Sequence, residues 1–567
     1  MTKAIQTRSG PRLNVDMRRV ATIVALTLFV GVLAYLVLVP IIRVQLLSFQ
    51  DGAAGYRAAF SRPEFRSSLI TTVQLTLGSL VIALGLGTTL AVAAINLPRR
   101  LRFLRMAPVL TLVIPFVASI LGWVALLSPR PGYVNILLRK LPWWNNLTEG
   151  PVDIYSIEWI VIITGLTLTS YVYLFVSAGL ANINSELIEA GRTSGMSAAT
   201  VFFRITLPLL RPVLLYGGAV ALLLGLGQFT APLLLGGNAG VDVITTEMYF
   251  FTTASPANYG AAAAMASPLI VFGIFMVFFQ RVILGDQSRF VTHGSKAFKP
   301  PGKGSKLAAV AVGLYSFVAL IGPLLGLVYL SVSPFWRPVL TSDGLTLANF
   351  RKVFDTPNLT SAITTSLIVS VAAVAVVIPI GFCVALIQLK GRTHPIARWI
   401  SDFVVQLPLG IPAAVFGVGF FYTYTREPFF LYGTKWVIVL VYVTLMLPFA
   451  TRMLLSAMVA LGNGYEEASR VSGAGAIFTY ARITLPLIRP AVGGAGALMF
   501  VLLTHEFGAS VLVRSPTTQV MGTALFDYWN FGSFPLTAAM AIVMGVITAI
   551  GVSIAMLVSG GRAFDQL

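Results

Sequence analysis

Residues 189–212, EAGRTSGMSAATVFFRITLPLLRP, and residues 467–490, EASRVSGAGAIFTYARITLPLIRP, are two copies of one segment. At a constant offset of 278, fourteen of twenty-four positions are identical, far more than unrelated segments share. The chain is therefore an internal duplication. A second correspondence, Ile114-Pro115 with Ile411-Pro412, has an offset of 297, so the first half carries nineteen extra residues between these points. The loop bearing Trp143 and Trp144 is where they go. Each copy of the segment reads as a short helix, a glycine, a second helical stretch, and a Leu-Pro breaker before a long apolar run. The first helix has acidic and small residues on an exposed face: Glu186, Glu189 and Ala190, and in the second copy Glu466, Glu467 and Ala468. Small side chains permit close approach of a partner, and a carboxylate offers an ion pair to an arginine. An ordinary re-entry turn would account for the proline. It would not hold an acid, an alanine and a glycine at the same spacing twice.

The surroundings of both copies are apolar. Of 567 residues, 57% are hydrophobic and 10% charged, and the mean hydropathy is +0.86. Soluble domains carry roughly 25% charged residues, so the expected solvent is lipid. Twelve runs are long enough to cross a bilayer, which takes roughly 20 residues each. They are 20–42, 69–95, 106–127, 156–180, 212–234 and 261–280, then 307–330, 362–388, 399–423, 436–457, 489–513 and 536–558. The expected fold is an all-α integral membrane protein of two six-helix repeats. An even number of spans per repeat makes them parallel rather than inverted. The first repeat is expected over 1–284, a basic cytoplasmic linker over 285–306, and the second repeat over 307–567. The first run is too long for a signal-peptide core and lacks a small-x-small cleavage site, so it reads as an uncleaved anchor.

Charge placement sets the expected orientation. With a cytoplasmic N-terminus, inside segments hold 26 Lys and Arg against 8 acids, and outside loops hold 13 against 11. Most of the net charge of +19 thus lies inside, as the positive-inside rule demands, and both termini are expected in the cytoplasm. The same placement argues against a nucleic-acid partner and leaves membrane lipid as the surroundings. The first long outside loop, 131–153, reads as an amphipathic segment at the interface, with Trp143 and Trp144 at headgroup level. Cys383, the single cysteine, excludes an internal disulfide framework and any Cys-based metal centre. His293, His394 and His505 are too scattered to suggest a metal site, and none is expected. No G-x-x-x-x-G-K-[ST] loop is present, and no catalytic constellation stands out, so a non-catalytic subunit is expected.

The spacing Glu-Ala-x, three residues, Gly, nine residues, Ile-x-Leu-Pro resembles the EAA loop of the permeases of binding-protein-dependent ABC importers. In the loop 186–212 the matching positions are Glu189, Ala190, Gly195, Ile205, Leu207 and Pro208. In the loop 464–490 they are Glu467, Ala468, Gly473, Ile483, Leu485 and Pro486. The third EAA position is Gly191 in one copy and Ser469 in the other, both small. The resemblance implies a type I importer transmembrane fold, with each loop forming a coupling helix seated in a groove of an ATP-binding subunit. It implies two copies of a separate ABC ATPase that binds ATP-Mg, no cofactor in this chain, a soluble solute-binding protein, and one fused chain in place of a permease dimer. The location implied is the bacterial inner membrane.

Glu506 is the one acid well inside an apolar run, where an unpaired charge is costly. Its repeat mate is Gln228, and Phe229 matches Phe507. In the family that this chain resembles, the fifth span lines the pathway. Gln228, Phe229, His505, Glu506 and Phe507 are therefore expected at the translocation route or its outer gate, with a structural polar contact between the halves as the other reading. Stretches such as 407–420 and 504–510 resemble the ferric-iron branch. The 2-aminoethylphosphonate, polyamine, thiamine and sulfate branches look much alike. An ion-gradient-driven secondary transporter also fits twelve spans, and it predicts charges in several of them.

Overall fold

In lipid every backbone N–H and C=O must be paired inside the protein, which long apolar sequences achieve as helices. The computed structural model describes residues 17–181, 183–284, 304–390, 395–462 and 464–559, and these are helical with connecting turns. Nearly all of the expected linker 285–306 lies outside the described residues. The first half comprises α1 (Met17–Phe60), α2 (Pro63–Ile95), α3 (Ala107–Leu110), α4 (Phe116–Leu127), α5 (Tyr133–Leu138), α6 (Ile157–Ala181), α7 (Ser185–Thr193), α8 (Ala198–Val201), α9 (Leu207–Leu226), α10 (Ile244–Thr253) and α11 (Tyr259–Leu284). The second comprises α12 (Lys306–Ser316), α13 (Gly322–Val332), α14 (Ala348–Asp355), α15 (Pro357–Lys390), α16 (Pro395–Gly410), α17 (Ala413–Tyr424), α18 (Lys435–Leu461), α19 (Gly464–Val471), α20 (Ala476–Thr479), α21 (Leu485–Leu487), α22 (Arg489–Thr504), α23 (Ser510–Val513), α24 (Met521–Asn530) and α25 (Phe534–Ser559).

The expected count of twelve spans is not confirmed. Among the described residues nine helices are long and apolar enough to cross a membrane, and up to eleven spans if two bent pairs each count as one. The pair α16–α17 bends by 109° at Ile411-Pro412. In the first half the run 106–127 is broken at the matching Ile114-Pro115, which leaves the short α3 and the twelve-residue α4. Proline supplies no N–H and clashes with the preceding turn, so the apolar run continues while the helix stops. The runs 212–234 and 489–513 also end early, at Leu226 and Thr504. Conversely, α1 runs past the expected span end at 42 and breaks at Gln50–Ala53, where Asp51, Gly52 and Ala53 have φ of 52, 67 and 63°.

The two halves exchange their first helices. α1 packs on α11 of its own half and crosses to α16 and α17, whereas α13 lies against α4 and α25, and α12 against α2. Both crossings are made through glycine. A Cβ at Gly122 would sit 2.3 Å from the Pro323 carbonyl oxygen, and one at the mate Gly419 would sit 2.9 Å from that of Pro40. Within each half the long pairs α2–α6 and α15–α18 lie side by side.

The nineteen-residue insertion is anchored to the protein along one face. Tyr133, Asn135 and Ile136 of α5 are buried. The Asn135 amide donates to the carbonyls of Leu127, Ser128 and Val152 at 3.0, 2.9 and 2.7 Å. Trp336 Nε1 of the second half donates to Pro131 O at 3.2 Å, which ties the insertion across the repeat boundary. Trp143 alone keeps a largely exposed ring, at 77%.

The glycine crossings yield an ordered expectation. Gly122→Ala should destabilise the purified protein by about 1–3 kcal/mol through overpacking, and Gly419→Ala by less. Thermal unfolding of the two variants in detergent checks the order.

Candidate functional site

Both repeated loops fold into the same device. α6 ends at Ala181, and the Asn184 side chain caps α7 by accepting from Glu186 N at 3.0 Å. α7 ends in a reversed turn: Gly195 N donates to Arg192 O and Met196 N to Gly191 O, both at 3.1 Å. In the second copy Gly473 N donates to Arg470 O at 3.0 Å and Ala474 N to Ser469 O at 3.1 Å. Gly195 and Gly473 have φ of +82° and +80°, and a Cβ on either would meet nothing within 4 Å. Backbone conformation, not space, therefore selects glycine there. α8 and α20 follow, then π-turns at Phe202–Thr206 and Tyr480–Thr484 that run into Leu207-Pro208 and Leu485-Pro486. Each proline falls in the first turn of its helix, where its missing N–H has no partner to lose.

The small third position has a packing cause that the two copies solve differently. A Cβ at Gly191 would lie 2.7 Å from Ile205 Cδ1 and 3.2 Å from Val201 Cγ2. In the second copy Ser469 and Thr479 occupy the places of Gly191 and Val201. Their hydroxyls are hydrogen-bonded at 2.8 Å in a buried position. An apolar pair has been exchanged for a satisfied polar pair. One residue earlier Ile188, partly buried against the core, matches Glu466. Glu466 was expected on an exposed face, but it is half-buried. Its Oε1 accepts from Lys390, from Arg470 at 2.7 Å and from Tyr480 Oη at 3.1 Å. Glu189, Ala190, Glu467 and Ala468 are exposed in both copies. Neither Glu189 nor Glu467 has an ion pair or side-chain hydrogen bond among the described residues.

At the opposite end of α9 and α22 the halves meet through aromatic rings. Phe229 and Phe507 stack at 5.7 Å between centroids, 23° from parallel. Tyr249 of α10 lies 5.8 Å from Phe229, Phe526 of α24 lies 5.4 Å from Phe507, and Tyr249 and Phe526 are 6.3 Å apart. The four rings are two pairs of repeat mates. Glu506 does not carry an open carboxylate: Oε1 accepts from Ala509 N at 2.6 Å, and Oε2 from Ser510 N at 3.0 Å and from the Ser510 hydroxyl. It caps α23. Its mate Gln228 accepts from Thr164 Oγ1 at 2.8 Å, while the buried Nε2 has no partner. His505 turns away from the rings, with Nε2 2.9 Å from Thr548 Oγ1. Beyond the rings Arg514 makes a two-pronged pair with Asp527 at 2.5 and 2.8 Å, and Gln519 donates to Asp527 at 2.9 Å. Burial pushes the carboxyls of Asp242 and Glu247 above the usual range, and for Glu247 Asp242 adds to the rise while Arg62 opposes it.

Two stretches of the chain, 101–286 and 378–560, match the family described as the binding-protein-dependent transport system inner membrane component. The chain belongs to that family. Each stretch contains one repeated loop and two of the four clustered rings, so the two matches are the two halves of the duplication. The chain is 24% identical over 546 residues to an Fe(3+)-transport system permease protein of Haemophilus influenzae, covering 93% of this chain and 97% of that one. It is 25% identical over 444 residues to a ferric transport system permease protein of Actinobacillus pleuropneumoniae, covering 76% of this chain and 62% of that one. Among solved structures it is similar to a bacterial alginate ABC transporter in complex with a pentasaccharide-bound periplasmic protein, at 23% identity, 50% of this chain, 100% of that chain and a TM-score of 0.41.

The chain is accordingly an ABC importer permease and a multi-pass membrane protein. Sequence reasoning singled out both repeated loops and, as mates, Phe229 and Phe507. It missed Tyr249 and Phe526, which complete the ring cluster. A signal for them existed. Val243-Ile-Thr-Thr and Val520-Met-Gly-Thr repeat at an offset of 277, and in each the threonine hydroxyl accepts from the valine N–H, at 2.9 and 3.1 Å. That shared cap starts α10 and α24 in register, and the rings follow three residues later.

The exchanged pair in the loops can be tested as a cycle. Thr479→Val alone strands the buried Ser469 hydroxyl and should cost about 1–3 kcal/mol. The double variant Ser469→Gly with Thr479→Val recreates the first-half pair and should recover most of that loss. Thermal unfolding of the three proteins measures the coupling.

Proposed function

We propose that this chain is the single-chain membrane subunit of an ATP-driven ferric-iron importer of the bacterial inner membrane. One observation supports the coupling role above others: two loops of one geometry, one per half, each presenting an unpaired carboxylate at the same end of the molecule. Glu189 and Glu467 would each meet an arginine or a helix N-terminus of one ABC ATPase, so that two ATPase copies bind one chain and hold the ATP-Mg. Ala190 and Ala468 let the partner approach. Gly191, Ser469, Ile205, Ile483, Leu207, Leu485, Pro208 and Pro486 fix the loop against its own half. The cargo assignment rests on the ferric-transport relatives, of which the Haemophilus protein aligns over nearly its whole length.

The halves are taken as 1–284 and 307–567, joined by a basic tether at 285–306. The loop end faces the cytoplasm because the excess of Lys and Arg lies on that side, and both termini lie there too. A soluble solute-binding protein would dock at the opposite end. There Phe229, Phe507, Tyr249 and Phe526 form the outer gate, a plug of four rings that excludes water and ions while closed. Glu506 and Gln228 position the gate from behind, Glu506 by capping α23 and Gln228 by holding α9 to α6. Glu506 is the one acid well inside an apolar run, whereas an ion-coupled carrier would require charges deep in several.

Three measurements test this reading. Purified from its native host, the chain should carry two ATPase copies, and reversal of both Glu189 and Glu467 to Arg should remove them. A clean preparation of wild-type chain free of any ATPase would overturn the coupling role. Cells whose ferric uptake depends on this chain should accumulate radiolabelled ferric iron. Accumulation of 2-aminoethylphosphonate instead would reassign the cargo. Glu506→Gln should lower stability by about 1 kcal/mol through the weakened cap and leave uptake per assembled chain unchanged. Lost uptake at normal assembly would place the carboxylate on the cargo itself.

A further inference from the structure

A cavity of about 180 Å³ lies between α3, α4 and α6 of the first half and α22 of the second, closed on one side by Ala319 of the exchanged arm. Its polar wall consists of Thr111, Ser119, Thr167, Tyr171 and His505. The duplication supplies a control for each. At the offset of 297 the mates of Thr111 and Ser119 are Pro408 and Phe416. At 278 the mates of Thr167, Tyr171 and His505 are Leu445, Phe449 and Gly227. None of the five mates carries a hydrogen-bonding side chain. Phe416 and Leu445 are buried, and a Cβ at Gly227 would already touch Pro412 at 3.3 Å. One half is packed with rings and aliphatic groups where the other is lined with hydroxyls, a phenol and an imidazole.

The groups in this wall have capacity to spare. Among the described residues no hydrogen bond ends on the Ser119 hydroxyl or the Tyr171 phenol. Thr167 donates to Ile163 O at 3.1 Å, which leaves its oxygen able to accept, whereas Thr111 donates to Pro108 O at 2.7 Å and is also hydrogen-bonded to Ser170. His505 uses Nε2 on Thr548, so Nδ1 is left for another partner. The wall contains no Asp, Glu, Lys or Arg. A bare multivalent cation buried here would find no countercharge and would be strongly disfavoured. A polar species without net charge would exchange its water hydrogen bonds for those of the wall at little cost.

We propose that this cavity is a one-sided resting site for the cargo within the membrane, and that it takes the cargo as a charge-neutral, hydrogen-bonding complex rather than as a bare ion. The site is built from the first half and His505, so each transport cycle has one such stop and not two. With ferric iron as the cargo, three negative charges must travel with the metal on its own ligands, and the wall binds those ligands. This rests on the importer reading above, and on the ferric assignment only for the identity of the complex.

The test copies the filled half into the hollow one, in the full chain with its ATPase and binding protein. Ser119→Phe should reduce uptake of radiolabelled ferric iron by about tenfold or more, and Thr167→Leu by several-fold, as lost pocket contacts do, with ATPase co-purification at the wild-type level. Uptake within about twofold of wild type in assembled Thr167→Leu protein, whatever the fate of Ser119→Phe, means a cavity that holds only water and overturns the proposal. Ser119→Asp adds the countercharge that a bare cation would want, so it should lower uptake, and a rise would overturn the neutral-complex claim. If wild-type cells take up no ferric iron but do take up 2-aminoethylphosphonate, and Ser119→Phe abolishes that uptake, the ferric assignment fails and the site stands.

Discussion

Inside a bilayer a backbone amide without a partner has no water to turn to, so wherever a helix of this permease breaks within an apolar run, protein must supply the partner. The chain breaks at Ile114-Pro115, at Ile411-Pro412, after Leu226 and after Thr504. All four breaks lie where the halves face each other, and protein groups take up the freed amides. Glu506 accepts from Ala509 N and Ser510 N, while Thr246 and Thr523 serve Val243 and Val520. The long helices α2 and α6, and α15 and α18 with one internal proline each at Pro379 and Pro448, pack in pairs beside these breaks. Irregular backbone is thus concentrated along the shared axis, where a pathway can open without exposing it to lipid.

Duplication fixed the scaffold and left the two copies free to diverge wherever a compensating partner existed. Gly191 with Val201 became Ser469 with Thr479, and each pair is satisfied in its own terms. Ile188 became Glu466, which is tolerable only because Lys390, Arg470 and Tyr480 surround it. Thr164 with Gln228 became Tyr442 with Ser510 and Glu506, the tyrosine hydroxyl lying 3.0 Å from Ser510 Oγ. The exposed Glu-Ala pair did not diverge, and neither Glu189 nor Glu467 has an ion pair among the described residues that a change within the chain could replace. The contrast between conserved and exchanged positions within one molecule separates what serves the fold from what serves contact with something else.

Much of this was legible without coordinates. The paired loops, Gly195 and Gly473 at their turns, and the Leu-Pro entries into α9 and α21 are local, and local backbone rules state them. The membrane setting and the halves follow from hydropathy and repetition. The count of twelve runs is not confirmed by the nine helices, or up to eleven spans, among the described residues, because hydropathy measures solvent preference and not helix continuity, so a run such as 106–127 can stay apolar through a break. For the insertion at 131–153, amphipathic periodicity marks a face to bury but not what buries it, and the contacts of Asn135 and of Trp336 show that protein covers that face.

The sequence by itself determined which runs are apolar enough for lipid, where the two repeated loops are, and that Phe229 and Phe507 are mates, because each depends on composition or on spacing along one chain. Only the tertiary structure decided that those rings stack on each other with Tyr249 and Phe526, that Glu506 is spent on a helix cap, and that the first helices are exchanged through Gly122 and Gly419. It alone set the polar cavity on one side. These are contacts between segments hundreds of residues apart, whose distances depend on how broken helices are aimed, and no periodicity along the chain encodes that angle.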